Sequence, residues 1–520
     1  MSQTRLAKNI SVMSIAVLLS RIFGLLRDTV MAHFFGGGFL NDAFNVAYNI
    51  PNLLRRLFGE GALSTAFVPI YNEIGIKKDK AAQIEFALNV LSILCLILLI
   101  ITGLGIAFAP WIVKLLYPGL APETTVVAIK LTRIIFPYLF FIGMSSTFIA
   151  ILNSHDYFFM TGLSSALLNI GMILSVLIPY WVWGLSAEQL IYPAGWGVVI
   201  GGTLQTIINL PYLKRIGYRF RLLVSFTTDA LSTLWKRFVP AMIGIGIREI
   251  NLIADALMAS FLPIGSITAL AYGNRLMQLP LGIFAISAGT AVLPMYSRMV
   301  SRKEYAELNE GMRFTALSLA YIMLPITTLI LVLAPDFVSI LFAHGAFDEI
   351  AVQMSAQALI FYSLGLIFYS MNQVLTPLFY ANGDTKTPVK LAAVIVLLNI
   401  TLNFILMQFM AHRGLALSTS LTAAINYILL LHLIRKKLPQ VDFTGIALNI
   451  FKTFCICLVI FLLAWLLDRY LPLQSRAELL LKAVIITTIS FTMFYALGLM
   501  LRLSYLKEAT QNIWKRLHRK

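Results

Sequence analysis

The sequence predicts an all-α protein that crosses a membrane many times. Three observations carry this reading. Of 520 residues, 59% are hydrophobic and 12% charged, whereas an ordinary soluble domain carries about 25% charged residues. Mean hydropathy is +0.84. The apolar residues also gather in runs of roughly 20, the length a helix needs to cross the hydrocarbon core. So little polarity could not cover a water-facing surface, which excludes the soluble globular, disordered and disulfide-stapled classes.

Fourteen spans are expected, at about 10–35, 41–73, 86–108, 124–152, 160–183, 192–213, 235–261, 266–293, 311–333, 351–380, 388–409, 414–434, 446–467 and 478–500. Arg5 and Lys8 precede the first run, but Arg21 interrupts it and no small-residue cleavage site follows. It reads as a membrane helix rather than a cleaved leader. Spans one, two, seven and eight carry charges, and these become the candidate site. Cys95, Cys455 and Cys457 all lie inside apolar runs and read as packing or lipid-facing thiols.

An even number of spans puts both termini on one side. Lys77, Lys78 and Lys80 fall in one even-to-odd loop, and Lys214, Arg215, Arg219 and Arg221 in another. Arg298, Arg302 and Lys303, then Lys386 and Lys390, then Arg435, Lys436 and Lys437 lie in further loops of the same parity. The positive-inside rule places these loops and both termini in the cytoplasm. The excess of 40 Lys+Arg over 23 Asp+Glu, net +17, thus sets topology and does not call for nucleic acid. The tail 502–520 reads as a basic surface helix.

The chain also repeats itself. SRIFGLLRDTVMAHF (20–34) aligns with IREINLIADALMASF (247–261), and TAFVPIY (65–71) with TAVLPMY (290–296). APWIVKLL (109–116) aligns with APDFVSIL (334–341), and ALLNI (166–170) with VLLNI (396–400). The four matches are collinear, at nearly one offset. The repeat unit is six helices, and an even-numbered unit repeats in parallel, the plan of a secondary transporter with its substrate site between lobes near the midplane. The expected divisions are an N-lobe at 1–222, a C-lobe at 223–437, two extra helices at 438–501 and the tail.

An ionisable residue inside a membrane is costly and is read first as functional. Arg21 lies about 16 Å beyond Ile10 and Arg55 about 20 Å beyond Asp42, at 1.5 Å per residue. Arg248 and Arg275 fall at similar depth. Arg21 and Asp28 share a face but stand two turns apart. Arg56 and Glu60 are spaced as a helical ion pair, which leaves Arg55 without a local acid. Arg248 has Glu249 beside it and Asp255 two turns on. Arg275 has no acid within four residues. Such arginines either pair across helices or line a cationic cavity, where guanidinium forks match phosphate or pyrophosphate oxygens. Pro51 and Pro280 flank Arg55 and Arg275 and are candidate hinges, with static packing as the alternative.

A second group is Asp255, Asn399, Asn403 and Thr419. A carboxylate with neutral oxygens suits a small hard cation such as sodium; interhelical hydrogen bonding is the plainer and preferred account. The six histidines are scattered, and no P-loop, dinucleotide fingerprint or HExxH occurs. ATP-driven pumping and membrane-enzyme chemistry are therefore not expected, and no cofactor is.

The stretch SRIFGLLRDTVMAHFFGGGFLNDAFNVAYNIPNLLRRLFGEGALSTAFVPIY (20–71) closely resembles the lipid II flippases of the MurJ (MviN) family. NRLMQLPLGIFAISAGTAVLP (274–294) is similar to the family's eighth-helix segment, and the likeness runs through all the expected spans. The resemblance implies membership of the multidrug/oligosaccharidyl-lipid/polysaccharide exporter superfamily in the bacterial inner membrane. It implies flipping of undecaprenyl-pyrophosphate-linked peptidoglycan precursor to the periplasmic leaflet by alternating access, for cell-wall synthesis, with lipid II and membrane lipids as partners. The family's cavity arginines fall on Arg21, Arg27, Arg55 and Arg275, its loop-adjacent acid on Asp42 and its inner Glu on Glu60. Arg248 comes from the depth argument alone, and Asn274 stands where some relatives have Asp. The last two spans would form a groove for the lipid tail. The alternatives are a flippase for another polyprenyl-pyrophosphate saccharide and a drug exporter of the same superfamily. A monomer is expected, with cell-wall synthesis proteins as further partners and the membrane potential as a driving force.

Overall fold

The computed structural model describes residues 3–56, 62–219, 221–471 and 475–508. The side chains of 3–18, 62, 64, 158–162, 243–245, 247 and 248 lie outside that description. Packing divides the chain into two compact units. Unit 1 is Met1–Ile267 with His344–Asp348, and unit 2 is Thr268–Ala343 with Glu349–Lys520.

Unit 1 begins with α1 (Gln3–Phe35), α2 (Phe39–Arg55), α3 (Ala62–Lys77) and α4 (Lys80–Ala107). Asp79 starts α4 by accepting from Ala82 N at 2.7 Å, which satisfies one of the amides a helix start leaves orphaned. The short α5 (Ala109–Leu116) leads to α6 (Pro122–Ile135) and α7 (Tyr138–Ser154), bent by 42° at a break that contains Pro137. Proline has no amide to continue the ladder, so the bend falls there. After α8 (Phe158–Trp183) and α9 (Ala187–Ile207) come α10 (Leu210–Arg215) and α11 (Asp229–Ser260). The α8 and α9 backbones pack closely. A Cβ on Gly171 would stand 2.7 Å from Gly201 Cα, so only glycine lets the two backbones approach this way.

Unit 1 includes α11, which packs on α3, α4 and α5.

Unit 2 runs from α12 (Ser266–Pro280) through a π-helical stretch, Leu281–Ile286, into α13 (Ser287–Arg302). There follow α14 (Tyr305–Phe342), α15 (Glu349–Ser363), α16 (Leu366–Ala381), α17 (Lys386–Met410) and α18 (His412–Lys437). The chain then forms α19 (Ile446–Tyr470) and α20 (Arg476–Met500). A 40° bend separates α15 from α16. The helices beyond the repeat pack on α14: Leu329 and Leu333 meet Ala464 of α19 and Ile486 of α20 in a buried cluster.

Among the described residues, nine helices are long and apolar enough to cross a membrane, or eleven if each bent pair counts as one span. The first, second and seventh expected spans coincide with α1, α2 with α3, and α11; residues 57–61 of the second, and some side chains of all three, lie outside the described residues. The lipid-facing character of these helices is visible on α17, where Val394, Leu397, Phe404 and Phe409 are all exposed. In a bilayer such a face needs no polar cover.

Candidate functional site

In unit 1 the charges of α1 and α2 divide into two kinds. Arg27 and Asp28 are buried. Arg27 Nε and Nη2 donate to Asp28 Oδ1 at 3.1 and 2.8 Å, and Nη1 donates to Asn169 Oδ1 of α8 at 3.0 Å. The Tyr48 ring of α2 lies 6.0 Å from the guanidinium. Asn169 in turn donates to Ser20 O at 3.3 Å. The α1 cation is thus met by an acid, an amide and a ring, as a buried charge requires. Sequence spacing put Arg21 and Asp28 on one face but two turns apart; the observed partner of Asp28 is the adjacent Arg27. Neighbouring residues on a helix do not face each other, but the long arginine side chain folds back far enough to reach.

Arg21, nearly two turns earlier on α1, is exposed. Arg55, in the last turn of α2, is half-buried. Its neighbour Arg56 donates Nε to Glu249 Oε2 of α11 at 2.9 Å. The sequence pairs Arg56 with Glu60 and Glu249 with Arg248; the structure joins Arg56 to Glu249 across helices. Glu60 and the Arg248 side chain lie outside the described residues.

Asp42 is buried in the first turn of α2, where the helix dipole favours an anion. Its carboxylate accepts from Gly265 N at 2.6 Å, fixing the connection that follows α11. Pro51 is buried inside α2, four residues before its end. Asp255 of α11 accepts from Asn251 Nδ2 at 3.2 Å, one turn back on the same helix.

In unit 2, Arg275 is half-buried on α12, five residues before Pro280. Pro280 opens the π-helical stretch 281–286, and a π turn inside a helix marks a place where the ladder yields. Asn274 accepts from Gln278 Nε2 within the same helix.

Asn399 and Asn403 are buried on α17. Asn399 Nδ2 donates to Ser418 Oγ at 3.1 Å and Thr422 Oγ1 at 3.2 Å on α18, and Ser418 Oγ returns a bond to Asn399 O at 3.2 Å. Asn403 Nδ2 donates to Asn399 Oδ1 at 3.0 Å. Thr419 donates to Leu415 O of its own helix at 2.9 Å. The Asn399 bonds clamp α17 to α18.

Sequence reasoning did not single out Asn169 as a site partner, although a signal existed, because it occupies the position of Asn399 when ALLNI is laid on VLLNI. Glu249 was noted beside Arg248, and nothing in the sequence signalled its pairing with Arg56, 193 residues away.

Comparison with known proteins gives the family. The family model described as "Lipid II flippase MurJ" matches residues 31–484. A "Probable lipid II flippase MurJ" of Buchnera aphidicola subsp. Schizaphis graminum is 34% identical over 429 residues, covering 81% of this chain and 82% of its own. A solved structure, "Lipid II flippase MurJ, inward closed conformation", superposes with TM-score 0.78 at 28% identity, covering 94% of this chain and 98% of that one. An inward-facing multidrug transporter of the MATE family superposes with TM-score 0.69 at 13% identity, covering 84% of this chain and 99% of that one, and shares the fold alone. With most of its length matched by the family model and a relative above the one-third mark in identity, the chain belongs to the MurJ family of lipid II flippases.

Proposed function

We propose that this chain, a multi-pass lipid II flippase of the bacterial inner membrane, recognises the pyrophosphate of its cargo through Arg21, Arg55 and Arg275. The observation that supports this is the contrast along α1: Arg27 is buried with its charge answered by Asp28, whereas Arg21 is exposed. An arginine kept charged inside a membrane helix is suited to bidentate phosphate binding. Arg27, with Asp28 and Asn169, then holds α1 to α8 and contributes to the headgroup site through the helix it positions. Asp42 likewise acts by fixing the connection at Gly265. Glu60 and Arg248 keep the headgroup roles expected from the sequence.

Transport proceeds by alternating access, with the chain as a monomer and both termini cytoplasmic. Pro51 and Pro280 are the hinges, and α19 with α20 forms the groove for the lipid tail. Outward movement of net negative charge is favoured by an inside-negative potential, by about 2.3 kcal/mol per charge per 100 mV. Sodium at Asp255, Asn399, Asn403 and Thr419 is the second driving force considered. It would have to compete with the hydrogen bonds that already clamp α17 to α18, and replacing sodium with potassium in the assay separates the two.

The test is translocation of labelled lipid II in cells depleted of their own flippase. Wild type restores flipping, while Arg21→Ala, Arg55→Ala and Arg275→Ala insert to normal levels and lose flipping by on the order of tenfold or more, as expected for a lost charge-assisted phosphate contact. Variants that flip as well as wild type would remove the arginines from the site and leave the family assignment intact.

A further inference from the structure

The second expected span opens with α2, and α2 carries a heavy load of amides for a membrane helix. Asn41, Asn45, Asn49 and Asn52 recur every three or four residues and lead to Arg55 and Arg56. At 100° per residue, all six fall within about a third of the helix circumference. The opposite face carries Ala43, Val46, Ala47 and Ile50, all buried, and the helix packs on α6 and α7. The apolar face thus seats α2 in unit 1, and the amides form a stripe on the other side.

The stripe divides by what each amide already does. Asn41 is buried and donates to Gly36 O at 2.7 Å, closing the turn between α1 and α2. Asn52 is buried and donates to Tyr48 O at 2.9 Å. Asn45 is half-buried and donates to Asn41 Oδ1 at 3.3 Å. Asn49 is exposed, and its amide is hydrogen-bonded to the hydroxyl of the buried Tyr117. The Tyr48 ring is already engaged, stacked on Phe44 and Tyr138 and lying beside Arg27. Asn45 and Asn49 are therefore the open stretch of the stripe.

An exposed amide inside a span is costly against hydrocarbon, and so are the exposed Arg21 and the half-buried Arg55. This side of α2 therefore borders water. Along the axis, Asn49 lies about 9 Å and Asn45 about 15 Å from Arg55. Groups bonded to a pyrophosphate held at Arg55 would extend over that distance. Between Asp42 and Arg55 the helix offers no charge, so the stretch suits a neutral polar group better than a second anion. A carboxamide both donates and accepts, which matches a sugar hydroxyl.

We infer that Asn45 and Asn49 form a saccharide subsite that reads the sugar next to the pyrophosphate of the cargo. The inference rests on the assignment of Arg55 to the pyrophosphate and adds the groups that tell a sugar-bearing lipid from its bare anchor. A site built to hydrogen-bond hydroxyls rejects the analogue that lacks them.

Native mass spectrometry of the purified full-length protein tests this with two probes. One is undecaprenyl pyrophosphate, and the other is the same lipid carrying an N-acetylated disaccharide without peptide. Wild type retains the sugar-bearing lipid more tightly, by on the order of tenfold for two amide contacts. Asn45→Leu/Asn49→Leu brings that ratio close to unity. Asn49→Ala, at the exposed position, lowers the ratio as well and serves if the double variant does not fold. Asn49→Ala/Tyr117→Phe keeps the lowered ratio, because it only removes the hydroxyl that Asn49 leaves behind. Recovery of the ratio there assigns Asn49 to Tyr117 alone and overturns the inference. Equal retention of the two lipids by wild type, or an unchanged ratio in the folded asparagine variants, overturns it too. Arg21→Ala/Arg55→Ala separates the two readings, since it should weaken both lipids together. If it weakens neither, the pyrophosphate assignment fails, while the asparagine ratio still decides the sugar.

Discussion

Arg27 and Asp28 show how a single side chain can be kept ionised inside this protein, and what its removal would cost. Both are buried, with side-chain exposures of 11% and 4%, and stand 2.8 Å apart. Removing one partner of such a pair strands the other charge, at a cost of about 3–5 kcal/mol. Arg27→Ala should therefore lower the melting temperature of the purified protein sharply. Arg27→Ala/Asp28→Asn should recover part of that loss, because the stranded carboxylate is gone. If the single variant melts like wild type, the pair carries no stabilising role and Arg27 returns to the list of direct cargo ligands. The arginines themselves were legible in the sequence, since charge in an apolar run announces itself. Their partners were less so. Asp28 was visible but not matched to Arg27, because helical spacing alone does not register how far a guanidinium can fold back. Glu249 was assigned to its chain neighbour, because a cross-helix contact is not written in local spacing.

Whole helices were easier to read than their joints. Hydropathy marked each apolar run, because the hydrocarbon thickness imposes a length on it; the bends at Pro137 and between α15 and α16 lie inside runs that hydropathy reports as continuous. The connections carry their own stabilising chemistry, and Asp384 is the clearest case. Its Oδ1 accepts from Thr387 N at 2.9 Å at the start of α17, and its Oδ2 accepts from Lys437 Nζ at 2.8 Å at the end of α18. The hydrogen bond from the Lys437 ammonium, then those from Thr387, holds this carboxyl well below the usual carboxylate range. A carboxyl depressed in the folded state stabilises fully above its unfolded value of about 3.9. That contribution declines below this pH and is lost as pH falls through the lowered folded value. Wild type should thus melt above Asp384→Asn by a constant margin from neutral pH down to about pH 5, and the margin should close in stronger acid. A margin that persists unchanged under acid would mean that the cap geometry, and not the charge, is what α17 gains.

On the scale of the molecule, the four sequence matches end before α19 and α20, which are fastened on by other means. The repeat was legible because four short matches kept their order; the fastening was not, because both partners of Lys482 lie on other helices. Its side chain is 7% exposed and bridges Asp336 of α14 at 2.6 Å and Asp468 of α19 at 2.8 Å. One ammonium on α20 thus ties both extra helices to α14 beside the apolar cluster of Leu329, Leu333, Ala464 and Ile486. Lysine can snorkel when it lies near an interface, but here two carboxylates hold it inside. Lys482→Met keeps the apolar length and removes the charge, leaving Asp336 and Asp468 facing each other without a counter-ion. A loss of about 3–5 kcal/mol is expected from that stranding, read as a lower melting temperature. Lys482→Met/Asp336→Asn should regain a substantial part, since a single carboxylate with 32% side-chain exposure can be hydrated. If the double variant is no better than the single, α20 is held by apolar packing alone and the ion triad is incidental. If it recovers stability but still flips lipid II poorly, the triad sets the position of the tail groove, and the two helices outside the repeat become part of the transport machinery.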